Sequence, residues 1–180
     1  STTGSTNDLA RADMATSQSD DDRIQAFKRF LTDPATHGVP ASEIVEPIET
    51  HGAIVVLAGE RAFKIKKPVK FPYMDFSTLK LRRKICLREI EVNRRTAPEV
   101  YLHVAGIVET GGALRLIPDV TSDPTAEPVV VMRRFNLSRT LDRVVKTEDL
   151  EPTLCDALVD EIASLQRAAA VHKGRPGSDR

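Results

Sequence analysis

Four lysines fall within the seven residues from Lys64 to Lys70, in the string R-A-F-K-I-K-K-P-V-K. A lysine ammonium is a compact cation with three donors and no acceptor, suited to phosphate oxygens or to a carboxylate. In an extended chain Lys64 and Lys66 share one face while Phe63 and Ile65 take the other. Such lysines either line a solvated hairpin face or are aimed at an anion. Glu89 supplies a reason for the second reading. On a helix advancing about 100° per residue it falls in the apolar half, whereas Glu91 falls among Lys84, Arg88 and Arg95. A carboxylate on an apolar face calls for a buried cation, so Glu89 rather than Glu91 is expected to approach Lys64 or Lys66.

The elements that must carry these residues follow from local pattern. Ile24, Phe27 and Leu31 repeat as an amphipathic stripe over 22–32, with Asp20 to Asp22 ahead of it and Pro34 behind it. Residues 44–50 read as extended. A-I-V-V-L-A-G at 53–59 and R-A-F-K-I-K-K-P-V after it read as a hairpin turning at Gly59. Ser77 is the expected N-cap of a helix over 78–96 that Pro98 closes, with Leu81, Ile85 and Ile90 facing inward and Val92 in the same half of the wheel. Residues 101–117 form a second hairpin at Gly111-Gly112, and E-P-V-V-V-M-R-R-F at 127–135 a further strand. Helices follow at 138–146 and 150–171, the latter with Leu154, Leu158, Ile162, Leu165 and Ala169 as its expected buried stripe.

This order predicts an α+β fold, an antiparallel sheet with one helix inserted after its third strand. That is the layout of a kinase amino-terminal lobe, in which a third-strand lysine neutralises nucleotide phosphates and a glutamate of the inserted helix holds it. The expected domains are a disordered leader at 1–21, a short helix and linker at 22–43, the lobe at 44–135, and the start of a second lobe at 136–180.

Composition narrows the classes. Twenty-six basic residues balance twenty-six acidic ones, so no global field draws the chain toward nucleic acid or membrane. No window approaches the roughly 18 apolar residues of a membrane span. Cys86 and Cys155 lie far apart, and two free thiols without a signal sequence point to the cytoplasm. No Walker A loop and no nucleophile elbow is present. Residues 61–95 do hold twelve basic and three acidic side chains, which keeps a nucleic-acid site open as an alternative. Aromatics make up 4% of the chain and none is interleaved with the lysines, which argues against a base-stacking platform.

The strings K-I-K-K-P, D-F-S-T-L and N-R-R-x-A-P-x-x-Y-L, with V-V-V-M-R-R-F and L-D-R-V-V, resemble the amino-terminal half of bacterial aminoglycoside phosphotransferase-like proteins. Such proteins are often fused to a carboxy-terminal P-loop kinase-like domain. The likeness covers roughly residues 45–171. It implies a kinase-like fold, ATP bound between two lobes with magnesium, and phosphoryl transfer to a small hydroxylated acceptor. It implies Lys64 as the phosphate lysine with Lys66 as its rival, Glu89 as the partner, Gly52 as the remnant of the glycine-rich loop, and Met132 and Arg133 within the hinge at 132–135 that meets adenine.

Two departures stand out. The glycine-rich loop is reduced to T-H-G-A, and the family's H-G-D segment is absent, His172 being followed by Lys173 and Gly174. No catalytic residue and no metal ligand is therefore assigned in this chain, which reads as the nucleotide-anchoring piece of a longer protein. A non-catalytic nucleotide-sensing module is the other reading of the same residues. Apolar surface left by an absent second lobe would favour self-association.

Overall fold

A computed structural model describes residues 20–147 and 150–169. Most of the expected leader at 1–21 and the expected coil after residue 171 lie outside the described residues. Residues 20 and 21, assigned to that leader, are already helical.

The chain divides into two compact units, one through Arg134 and one from Phe135. The first is built on a six-stranded antiparallel sheet in the order β1-β2-β3-β8-β6-β7. Its strands are β1 (Ile44–Glu49), β2 (Ala53–Ala58), β3 (Arg61–Lys66), β6 (Tyr101–Thr110), β7 (Ala113–Ile117) and β8 (Glu127–Arg133). The short strands β4 (Lys70–Phe71) and β5 (Met74–Asp75) form a separate hairpin that the sequence reading missed. Helix α3 (Leu79–Asn93) links this hairpin to β6, and β8 returns to fill the gap between β3 and β6.

Alternation along the strands feeds two cores. On one face Ile54, Val56, Phe63, Ile65, Ala105, Ile107, Val129 and Val131 pack against Ile24, Phe27 and Leu31 of helix α1, which runs through residues 20–32. On the other face Ala62, Val104, Val130 and Met132 pack against Cys86 and Ile90 of α3. Strand β8 is buried on both sides, which is why its sequence is continuously apolar rather than alternating. Residues 22–43, expected to precede the sheet domain as helix and linker, belong to the same unit. The stripe Ile24–Phe27–Leu31 would otherwise leave its whole apolar face in water. Helix α2 (Pro34–His37), capped by the Asp33 side chain, begins at the proline read as a helix stop and ends where the expected linker starts.

The Gly111-Gly112 turn joins β6 to β7 with φ of 61° and 78°, the paired positive values that suit a two-residue hairpin and that glycine adopts without strain. The N-cap of α3 is Thr78, whose hydroxyl accepts from the Leu81 N–H at 3.2 Å; the Ser77 hydroxyl instead donates to Asp75 at 2.6 Å. The buried residues of α3 are Arg82, Cys86 and Ile90. Leu81 and Ile85 are half-buried, and Val92 is exposed, because the helix is seated slightly to one side of the phase its apolar residues suggest.

In the second unit, helix α4 (Leu141–Thr147) precedes helix α5 (Pro152–Ala168). The expected buried stripe of α5 is not buried: no residue of this helix is, and Leu154 and Ile162 are exposed. No helix among the described residues is long and apolar enough to cross a membrane.

Candidate functional site

Period-two geometry on β3 turns Lys64 and Lys66 toward α3, and Glu89 lies on the inner stripe of that helix, seven residues after Arg82 and three after Cys86. The three meet. Lys64 Nζ donates to Glu89 Oε1 at 2.8 Å, and Lys66 Nζ lies 2.6 Å from Glu89 Oε2. Each lysine takes one carboxylate oxygen, so the two expected rivals are partners of the same group. Glu91 pairs on the exposed side of the helix with Arg88. Asn93 donates to the Glu89 backbone carbonyl at 2.8 Å, which ties down the turn that carries the carboxylate.

The lysines are not equivalent. The Lys66 side chain is 8% exposed and its ammonium sits 5.2 Å from the centroid of the Phe76 ring. The Lys64 side chain is 26% exposed. Lys66 is thus held between a carboxylate and a ring, while Lys64 keeps access to solvent. Burial alone would lower the Lys64 pKa, but the hydrogen bond and charge of Glu89 outweigh it and hold the ammonium above its ordinary value. Burial would likewise raise the Glu89 pKa, and the hydrogen bonds from Lys64 and Lys66 outweigh it and keep the carboxylate ionised. Two cations on one anion leave the cluster with a net charge of one positive unit.

Deeper along α3, Arg82 grips Glu127 of β8 through Nε to Oε1 at 2.6 Å and Nη2 to Oε2 at 2.8 Å. Its Nη1 donates to the carbonyls of Phe76 and Ser77 at 2.9 and 3.3 Å. This buried fork pins the helix against the strand next to β3, and so sets the distance at which Glu89 meets the lysines. Sequence reasoning missed the pair. The legible signal was a glutamate opening an apolar strand and an arginine within the apolar half of a helix.

Of the remaining expected site residues, Gly52 lies beside the Lys66 end of β3, and Met132 and Arg133 lie on β8. Gly52 is in the β1–β2 turn, where the Thr50 N–H donates to the Ala53 carbonyl at 2.9 Å and the Lys67 N–H donates to the Gly52 carbonyl at 3.0 Å. A Cβ at Gly52 would meet Met74 Cε at 2.8 Å, so the glycine lets the β4–β5 hairpin close against this turn. Met132 is buried on β8 opposite Ala62 and Tyr101. Arg133 has an exposed side chain and lies opposite Arg61. In the stretch expected to form a hinge, Arg133 N–H donates to Val100 O at 2.8 Å and Arg134 N–H to Glu60 O at 2.9 Å, so both amides are committed within the fold. Among the described residues no group of three or more His, Cys, Asp or Glu side chains could hold a metal ion.

No family model and no solved structure matches the chain. Over 133 residues, 74% of its length, it is 37% identical to uncharacterized proteins of Mycobacterium tuberculosis and Mycobacterium bovis. The matched stretch is 24% of each of these relatives, so the chain spans about a quarter of their length.

Proposed function

We propose that this chain is the nucleotide-anchoring part of an ATP-dependent phosphotransferase resembling the aminoglycoside phosphotransferases, one that acts on a small hydroxylated acceptor. The observation that carries the reading is Glu89 of α3, the helix reached from β3 through the β4–β5 hairpin, closed at 2.8 Å on Lys64 of β3. Phosphoryl transfer is served by a fixed cation on the nucleotide phosphates, since charge must be matched where it develops. Lys64 suits that role: it is protonated, positioned by Glu89 and accessible. Lys66 keeps Glu89 compensated when Lys64 turns a donor toward a phosphate oxygen.

Much of the basic run supports a nucleotide over nucleic acid, because its cations are already engaged. Lys67 pairs with Glu49, Lys70 with Asp75, Arg88 with Glu91, and Arg83 donates to the carbonyls of Asp123 and Ala126. The described residues do not by themselves make a magnesium site. On this reading the carboxylates for magnesium and the base that takes the acceptor proton lie in a second lobe, in keeping with the chain's quarter share of its relatives' length.

The test is titration of the 180-residue chain with a fluorescent ATP analogue, alone and as Lys64→Met, beside ATP turnover by a full-length relative and its matching variant. Saturable binding lost in Lys64→Met supports the reading, and turnover by the relative separates a phosphotransferase from a nucleotide sensor. Binding indifferent to Lys64→Met would remove Lys64 from the site.

A further inference from the structure

A cavity of about 530 Å³ opens on the opposite face of the sheet from Lys64, in the size range of small-molecule sites. Its floor is Phe63, Ala105 and Val131, and α2 forms one wall. That wall is fixed. The His37 ring donates through Nε2 to the Leu31 carbonyl at 2.8 Å and lies 4.3 Å from the Phe63 ring, and the Thr36 hydroxyl donates to the Phe30 carbonyl at 2.6 Å.

The polar groups at this end of the sheet are mostly cationic. Arg61 lines the cavity, and Arg133 lies directly opposite it across β3 and β8, hence on the same face. Like charges so placed repel, and neither guanidinium makes an ion pair among the described residues. His103 lines the cavity from β6, where its backbone neighbour across the ladder is Val131. Glu60 is the one acidic residue in the lining.

We propose that this cavity is a second ligand site, for a small organic anion whose apolar body rests on Val39, Leu116 and Pro118 above the buried Phe63, Ala105 and Val131, and whose carboxylate or phosphate head is met by Arg61 and His103, with Arg133 adding charge. The anion relieves the repulsion between the facing arginines. Burial lowers the His103 pKa, and the charges of Arg61 and Arg94 lower it further against the opposing pull of Asp119. A bound anion opposes the lowering, so affinity rises as pH falls and His103 titrates at a higher pH with ligand than without.

The experiment uses the 180-residue chain and four probes: 1-naphthyl phosphate, 1-naphthoate, neutral 1-naphthylmethanol and inorganic phosphate, followed by two-dimensional NMR of backbone amides and histidine rings. The expected result is saturable shifts centred on Phe63, Ala105, Val131 and His103 with the two aromatic anions, an upward move in the His103 titration, and weaker binding of naphthylmethanol and of phosphate alone. Whichever aromatic anion binds more tightly distinguishes a phosphate from a carboxylate head. Arg61→Ser, an exposed substitution, lowers affinity for the anions about tenfold and leaves naphthylmethanol unchanged. Lys64→Met changes none of this, so the outcome is independent of the nucleotide reading. Shifts centred on Lys64 and Glu89, no saturation at about millimolar probe, or anion affinity unchanged by Arg61→Ser would each overturn the proposal.

Discussion

Arg82 and Glu127, 45 residues apart in sequence, meet as a two-pronged buried pair that joins helix α3 to strand β8. Removing one partner leaves the other charge without compensation in an apolar layer. Arg82→Met or Glu127→Gln is expected to cost about 3–5 kcal/mol, while the double variant Arg82→Met/Glu127→Leu recovers most of that loss. Urea denaturation of the two single variants and the double variant measures this directly.

The Lys64–Glu89–Lys66 cluster predicts an order of stability losses rather than one value. Glu89→Ala strands two cations and costs the most, about 2–3 kcal/mol. Lys66→Ala is intermediate, because it also loses the Phe76 ring contact. Lys64→Ala is the mildest, about 1 kcal/mol or less, since Lys66 still compensates Glu89 and Lys64 is partly in water. A denaturation series in which Lys64→Ala proved the most damaging would contradict the division of roles drawn between the lysines.

Glu89 also sets an acid limit. Its pKa in the fold lies below the ordinary 4.5, so the unfolded chain takes the proton first as pH falls. The stabilisation is therefore complete above about pH 4.5 and is lost as pH drops through the lowered folded value. The stability difference between wild type and Glu89→Gln should be constant near neutrality and shrink below pH 4.5. Lys64 acts at the other end: its contribution is full below 10.5 and fades as pH rises through its raised value.

Two glycines should respond differently to alanine. At Gly106 a Cβ would lie 2.7 Å from Ala126 Cβ, which is fixed to its backbone, and 3.1 Å from Ile117 Cγ1. Gly106→Ala is expected to cost about 1–3 kcal/mol. At Gly52 the obstacle is the end of the Met74 side chain, which can take another rotamer, and the cost should stay under about 1 kcal/mol. Thermal unfolding of both variants provides the comparison.

The thiols should separate as cleanly. Cys86 is fully buried and its pKa is pushed up to about 12, chiefly by burial. Cys155 is half-buried on α5. A thiol reagent near neutral pH should label Cys155 in the native chain and Cys86 after denaturation.

The parts legible in sequence were those governed by short-range period. Alternation along A-F-K-I-K put both lysines on one face, and helical phase put Glu89 inward and Glu91 outward, as the ion pairs show. The stripe Ile24–Phe27–Leu31 was equally plain, yet its destination was not, because period tells which face is buried and never against what. Val92 illustrates the limit: an apolar residue at the margin of a helix face is placed by how the helix is seated, which depends on Arg82 and Glu127 reaching each other. That pair was hidden for the same reason, since two charged residues read singly suggest solvent. The β4–β5 hairpin is two residues per strand, too short for any period to register. The stripe of α5 carried a clear apolar pattern, but a pattern names a preference for burial and does not supply a cover.

The margins of the sheet have a consequence of their own. β1 and β7 are its outer strands. β1 shifts register between Val45 and Ile48, and within that irregularity stands Pro47, which has no N–H to offer a neighbour. β7 is five residues long and exposes Arg115 at its middle. A strand from another molecule that approached either margin would find a missing donor on one side and a five-residue strand with an exposed arginine at its middle on the other. These two margins therefore give an incoming strand little to pair with.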